Sequence, residues 1–229
     1  MSLFISFEGP EGSGKSTQIL LLQRAIERTG CKVLCTREPG GTPIGEQIRE
    51  VLHAMENRAM LPITEALLYS AARAQHVGEV IRPALERGEI VVSDRYAHST
   101  LAYQGEGHGL DRRMLHQLAQ WATGGLEPDL VIYLDLDVIE GLRRKRQDAS
   151  GEWNRMDEQD VAFHQAVRAG YLRMVESDPE RWLVVDAAQS IDAIHQQIWA
   201  RIRRLYDCSG LGNKREMKDG NQAHREYRS

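Results

Sequence analysis

The 229-residue chain contains no apolar run approaching the roughly 20 residues that span a bilayer, so a membrane-spanning helix is not expected. Cysteine is scarce: Cys31, Cys35 and Cys208 show neither CxxC spacing nor a nearby histidine pair. This excludes a disulfide framework or a zinc site, and the three are read as reduced packing residues. Positive charge is not in excess, with 29 basic against 33 acidic residues and a net of −4, which argues against a protein that coats a nucleic acid polymer. Met1-Ser2-Leu3-Phe4-Ile5 lacks the basic start and small-residue cleavage site of a signal peptide, so a cytoplasmic location is expected. What is present is ordinary globular material, 41% apolar and 27% charged, in a length that suits one large domain or two small ones.

Short β-rich runs alternate with longer stretches of helical period. Phe4–Phe7, Val33–Thr36, Ile90–Ser93, Leu130–Asp135 and Trp182–Asp186 are nearly all apolar rather than alternating, the pattern of strands buried on both faces in a parallel sheet. Between them run stripes at spacings of three or four: Ile19, Leu22 and Ile26; Ile44, Ile48, Val51, Leu52 and Met55; Ile191, Ile194, Ile198 and Ile202. Such helices are expected to cover both faces of the sheet. Gly30 suits a helix C′ position and Ser190 an N-cap.

After the first strand comes Gly9-Pro10-Glu11-Gly12-Ser13-Gly14-Lys15-Ser16, which fits G-x-x-x-x-G-K-[ST] and opens a helix through Thr17. Such a loop turns its backbone N–H groups toward phosphate oxygens at the positive end of a helix dipole. Lys15 would reach the β- and γ-phosphates of a bound nucleotide such as ATP, and the Ser16 hydroxyl would ligate Mg²⁺. The third strand ends in Asp94-Arg95-Tyr96 at the carboxyl edge of the sheet, where ligands bind in open α/β folds. Asp94 there can orient the Mg²⁺ shell and Arg95 can grip a second phosphate, although a plain structural ion pair is the alternative. Gly105-Glu106-Gly107-His108-Gly109 is too loose for a dinucleotide fingerprint and is read as a flexible substrate loop. Asn213-Lys214-Arg215-Glu216 is a poor match to the guanine-reading Asn-Lys-x-Asp, so a GTPase is disfavoured.

These motifs, with Thr36-Arg37-Glu38-Pro39-Gly40-Gly41-Thr42, Leu68-Tyr69-Ser70-Ala71-Ala72-Arg73, Ala102-Tyr103-Gln104-Gly105 and Pro128-Asp129-Leu130-Val131-Ile132-Tyr133-Leu134-Asp135, resemble the thymidylate kinase family from Phe4 to about Leu205. The resemblance implies a five-stranded parallel sheet with helices on both faces, a homodimer, ATP as phosphoryl donor and thymidine monophosphate as acceptor. It gives Tyr69 the task of stacking on thymine, Arg73 that of bonding the base, and Thr100 and Gln104 further base contacts. Tyr103 falls where an aromatic ring crowds the sugar 2′ position, Glu11 where a carboxylate meets the 3′-hydroxyl, and Pro39 on the opposite wall. Read without the resemblance, Tyr69 and Arg73 share one helix face but would pass for a core tyrosine and a surface arginine.

Family variants differ in where the catalytic arginine sits, and Gly12 with Arg143, Arg144, Arg146 and Arg155 resembles the bacterial type that carries arginines in a lid. The lid is expected at about 143–155, and Arg144, Arg146 and Arg155 join Lys15 and Arg95 as candidate catalytic groups; a solvated basic helix face is the alternative for the charge run alone. Residues 1–207 are expected to form the kinase domain and the polar stretch 208–229 a disordered tail. A kinase for another nucleoside monophosphate and an ATP-binding regulatory module both stay open at this point.

Overall fold

The structure, a computed structural model, describes residues 2–147 and 154–207. The expected tail and the middle of the expected lid lie outside the described residues. Five strands, β1 (Leu3–Glu8), β2 (Val33–Arg37), β3 (Ile90–Asp94), β4 (Leu130–Asp135) and β5 (Trp182–Asp186), form one parallel sheet in the order β2-β3-β1-β4-β5. Each matches an expected strand to within a residue or two at its ends. The central strand β1 is buried along its whole length and pairs Phe4 with Val91 and Ser6 with both Ser93 and Val131.

Alternation along the strands feeds two cores, as it must when both faces are covered. Ile5, Phe7, Val92, Ile132 and Leu134 meet Leu22 and Ile26 of α1 (Lys15–Glu27) and Ile194, Ile198 and Ile202 of α9 (Ile191–Asp207). On the opposite face Phe4 and Val91 pack with Val77, Ile81 and Tyr96, while Val131 and Tyr133 pack with Val167 and Tyr171 of α8 (Val161–Ser177) and with Trp182. Gly30 takes φ +81° just past α1, and Ser190 Oγ accepts a bond from Ala193 N at the start of α9, both as their residue types suggest.

The remaining helices are α2 (Pro43–His53), α3 (Pro62–His76), α4 (Arg82–Glu86), α5 (Ala97–Thr100), α6 (Arg112–Thr123) and α7 (Val138–Gln147). Two expectations need correction. The α2 stripe does not cover the sheet: α2 lies on α3, only Leu52 of its apolar stripe is fully buried, and Ile44 and Val51 remain about half exposed. Likewise the loop expected at 105–109 is in its first three residues the end of a wide helical turn, Leu101–Gly107, that continues α5 and packs on α8, where the absent Gly107 side chain leaves room for the Phe163 ring. Among the described residues no helix is long and apolar enough to cross a membrane.

Candidate active site

A cleft of about 620 Å³ opens at the carboxyl ends of β1 and β3. One wall is the loop from Gly9 to Gly14. A Cβ on Gly9, at φ +142°, would stand 2.6 Å from the Leu134 carbonyl oxygen, so the turn leaving β1 requires glycine. Gly14 occupies the N-cap of α1 with no side-chain bond to the first turn, which leaves those N–H groups for an anion. Lys15 is buried and donates Nζ to Gly9 O at 3.1 Å and Pro10 O at 2.9 Å; burial, reinforced by Arg95, holds its pKa below the ordinary lysine value. Ser13, Ser16 and Thr17 line the same wall. Asp94 Oδ1 is buried without a hydrogen-bond partner. That orphaned oxygen and the exposed Ser16 hydroxyl fit Mg²⁺, which takes few protein oxygens and completes its shell with phosphates and water. No group of three or more His, Cys, Asp or Glu side chains gathers among the described residues to hold a metal alone.

Arg95 sits at the junction of the two halves of the cleft. It is the one non-glycine residue with positive φ, at 71°, among those described, a conformation that costs about 1 kcal/mol or more and is held by Arg95 N donating to Phe7 O at 2.9 Å. Its guanidinium donates to Ser99 Oγ and Tyr103 OH, both at 3.2 Å, pairs with Glu11, and lies 5.0 Å over the Tyr103 ring. Burial pushes the Glu11 carboxyl up, but Arg95, Lys15 and Lys145 together outweigh it and hold it at about 2. Behind Arg95, the fully buried Glu8 accepts from Tyr96 N at 2.9 Å, Ser99 Oγ at 2.6 Å and Tyr171 OH at 2.7 Å; burial raises its pKa.

The far wall comes from α3 and the Leu101–Gly107 turn. Tyr69, Arg73, Thr100, Tyr103 and Gln104 line this part of the cleft, as does Pro39. Arg73 is only 1% exposed and donates Nε to Glu38 at 2.7 Å, Nη1 to Thr100 Oγ1 at 3.1 Å and Nη2 to Tyr96 O at 3.1 Å. A guanidinium has five N–H groups, so two remain for a ligand. Glu38 Oε1 stands 3.2 Å from His76 Nδ1, and His76 Nε2 bonds Thr36 Oγ1 at 2.7 Å, which ties the Arg73 anchor to the end of β2.

A phosphate loop, an arginine junction and a wall of base-sized polar and aromatic groups thus face one another across one cleft. The family model described as thymidylate kinase matches residues 7–198. The chain belongs to the thymidylate kinase family. Among its relatives, the thymidylate kinase of Roseiflexus sp. (strain RS-1) is 51% identical over 87% of this chain and 93% of the relative. Those of Thermomicrobium roseum and Deinococcus radiodurans are 54% and 48% identical, covering 90% and 87% of this chain and 96% of each relative.

In this family member Arg144 and Lys145 of α7 line the cleft, and Arg144 donates to Glu140 at 2.7 Å and to Ala187 O at 3.0 Å. Arg146 lies in the last turn of α7. The structure does not bring Arg155 alongside them: its guanidinium is buried against Glu65, Leu52 O and Met60 S, beyond the far wall. Sequence reasoning missed Glu8, Glu38, Glu65 and Lys145. Glu38 and Lys145 stood inside motifs already singled out, and Glu8 carried one signal, a carboxylate ending a nearly all-apolar strand.

Proposed function

We propose that this chain transfers the γ-phosphoryl group of ATP to deoxythymidine monophosphate, giving the diphosphate. The observation that carries this reading is the placement of Arg95, held by Glu11, Ser99 and Tyr103, between the phosphate loop and the Tyr69/Arg73/Gln104 wall. The α1 N-terminal N–H groups and Lys15 bind the donor phosphates; Lys15, now bonded to its own loop carbonyls, exchanges those acceptors for phosphate oxygens. Arg95 binds the acceptor phosphate and turns one of its oxygens toward the γ-phosphorus. That oxygen bonds to phosphorus as the bond to the β–γ bridging oxygen breaks, so positioning and charge stabilisation suffice and no general base is needed. Ser16 and Asp94 would hold Mg²⁺, which when bound neutralises charge between the β- and γ-phosphates. Tyr69 stacks on the base, the two free N–H groups of Arg73 reach its edge with Thr100, Tyr103 closes the space beside the sugar 2′ carbon, and Glu11 accepts from the 3′-hydroxyl. The α7 cations Arg144 and Arg146 supply charge to the transferring group from the donor side.

A cytoplasmic homodimer fits this reading. Ile44 and Val51 of α2, Leu67 of α3 and Trp121 of α6 are exposed by 45% or more on neighbouring helices, an apolar face of the kind two copies cover together. Light scattering should give twice the chain mass, and Leu67→Glu should shift it to one.

A coupled assay of ADP release with MgATP against a panel of nucleoside monophosphates tests the activity. Deoxythymidylate should give the highest kcat/KM. Equal rates with adenylate or guanylate would move the chain to another acceptor, and no release with any acceptor would leave a regulatory ATP-binding module.

A further inference from the structure

We infer that Glu65, which does not itself line the cleft, selects the acceptor base by locking the Gln104 amide with its oxygen toward the bound ring. The inference rests on the reading that a pyrimidine monophosphate occupies the Tyr69/Arg73 wall. Gln104 is 1% exposed and reaches the cleft from the Leu101–Gly107 turn. A side-chain amide is nearly the same shape when its oxygen and nitrogen are exchanged, so packing alone does not decide which end meets a ligand. Here Gln104 Nε2 donates to Glu65 Oε1 at 2.7 Å. With the nitrogen so engaged, Oε1 is the end left for the cleft.

The lock holds only while Glu65 is ionised, because a carboxylate accepts and never donates. Glu65 is 1% exposed, and burial by itself would favour its neutral form. Two basic side chains oppose that. Arg155 pairs with Glu65 Oε2, and His108 Nε2 stands 3.2 Å from Glu65 Oε1. With the Gln104 bond they outweigh burial and hold the carboxyl below its ordinary value. Arg155 is fixed in turn by donating Nε to Leu52 O at 3.2 Å. Glu65 also lies one helical turn before Tyr69 and two before Arg73, so one face of α3 carries the lock, the stacking ring and the base-edge cation.

The chemical consequence is a choice between pyrimidines. Thymine presents an N3–H donor, which a carbonyl oxygen accepts. Cytosine presents a bare N3 lone pair at the same place, which a carbonyl oxygen repels. A freely reversing amide would offer its NH₂ to cytosine equally well. Glu65 therefore acts as a positioning residue whose effect is read in discrimination between bases.

The experiment measures kcat/KM for deoxythymidylate and deoxycytidylate with wild type, Glu65→Gln and the reciprocal pair Glu65→Gln/Gln104→Glu. In Glu65→Gln the Arg155 guanidinium keeps the oxygen of the new amide, whose nitrogen then faces Gln104 and favours the reversed Gln104 orientation, so the thymidylate-to-cytidylate ratio should fall by about tenfold. In the reciprocal pair the amide moved onto α3 donates its nitrogen to the carboxylate moved onto the Leu101–Gly107 turn. The other oxygen of that carboxylate again faces the cleft, and the ratio should recover. A ratio cancels the amount of folded enzyme, and a residue that only supported the fold would not be rescued by moving the carboxylate across the contact. Wild type without a preference for thymidylate would overturn the functional reading itself. A wild-type preference that survives in Glu65→Gln, or that the reciprocal pair fails to restore, would overturn the role of Glu65 alone.

Discussion

Arg73 is the side chain whose burial asks most of its neighbours. A guanidinium 1% exposed must be paired, since an isolated buried charge costs several kcal/mol, and Glu38 supplies the pairing at 2.7 Å. Removing the carboxylate leaves the cation buried against Tyr96 O and Thr100 alone, so Glu38→Ala should lower unfolding free energy by about 3–5 kcal/mol in urea titrations. Glu38→Gln keeps the shape and an oxygen to accept from Arg73, and should lose clearly less. Both should raise KM for the acceptor more than KM for ATP; equal effects on the two would place Glu38 in general stability. The i, i+4 relation of Tyr69 and Arg73 was legible in the sequence because it is local. Glu38 was not, although it stood inside Thr36–Thr42: its role arises when the end of β2 lies beside α3, a tertiary contact that no spacing announces.

Between residues and whole chain, the element that matters most for turnover is α7. It rests directly on the phosphate loop: a Cβ on Gly141 would stand 2.7 Å from Glu11 O, and one on Gly12 3.0 Å from Arg144 Cβ. The basic helix end is thereby fixed to the loop that holds the donor, with Arg144 and Lys145 on the cleft. Charge delivered from there stabilises bridging oxygens most as they gain charge in transfer. At least one of Arg144→Ala and Arg146→Ala should lower kcat on the order of 10²-fold. The melt should move little for Arg144→Ala, because its i, i+4 pair with Glu140 is about one-third exposed and screened by solvent, and its bond to Ala187 O is a single further contact. If both variants keep kcat and only weaken KM for ATP, α7 is an electrostatic cover and the transferring charge rests on Lys15 and Arg95. Strands and α1 were readable at this scale, since burial on both sheet faces leaves a continuous apolar signature. The Leu101–Gly107 turn was not, because its glycines, of which Gly107 here admits the Phe163 ring, mimic the composition of a loop. Nor was the pairing of Arg155 with Glu65, two segments brought together only by the packing of α2 and α3 beside it.

At the scale of the molecule, stability in mild acid is governed by histidines that fold in neutral form. Burial, reinforced by Arg181 and Arg73, pushes His98 down to about 3, and burial with Arg49 pushes His53 down to about 4, against an ordinary value of 6.5. Both forms of the chain leave these rings neutral near neutrality. As pH falls below the ordinary value, the unfolded chain takes up protons that the folded chain refuses, so each ring removes about 1.4 kcal/mol per pH unit until its folded pKa is reached. Glu11 acts lower down: its folded value of about 2 against 4.5 gives stability that is full above 4.5 and lost between there and 2. From about pH 7 to about pH 5 the histidines therefore supply the destabilising part of the slope, opposed by Glu8, whose burial-raised value lets the folded chain take up a proton before the unfolded one does. His98 is the cleanest to remove, since its ring packs edge-on to Trp182 with centroids 4.9 Å apart while Nδ1 is buried without a partner. His98→Phe keeps the ring contact, deletes the unpaired nitrogen and cannot titrate. Urea midpoints at stepped pH should show the variant at least as stable as wild type near neutrality and distinctly less sensitive to acid. Parallel curves for the two proteins would mean that His98 is solvated in the folded chain, and the acid response would then belong to His53 and the carboxylates.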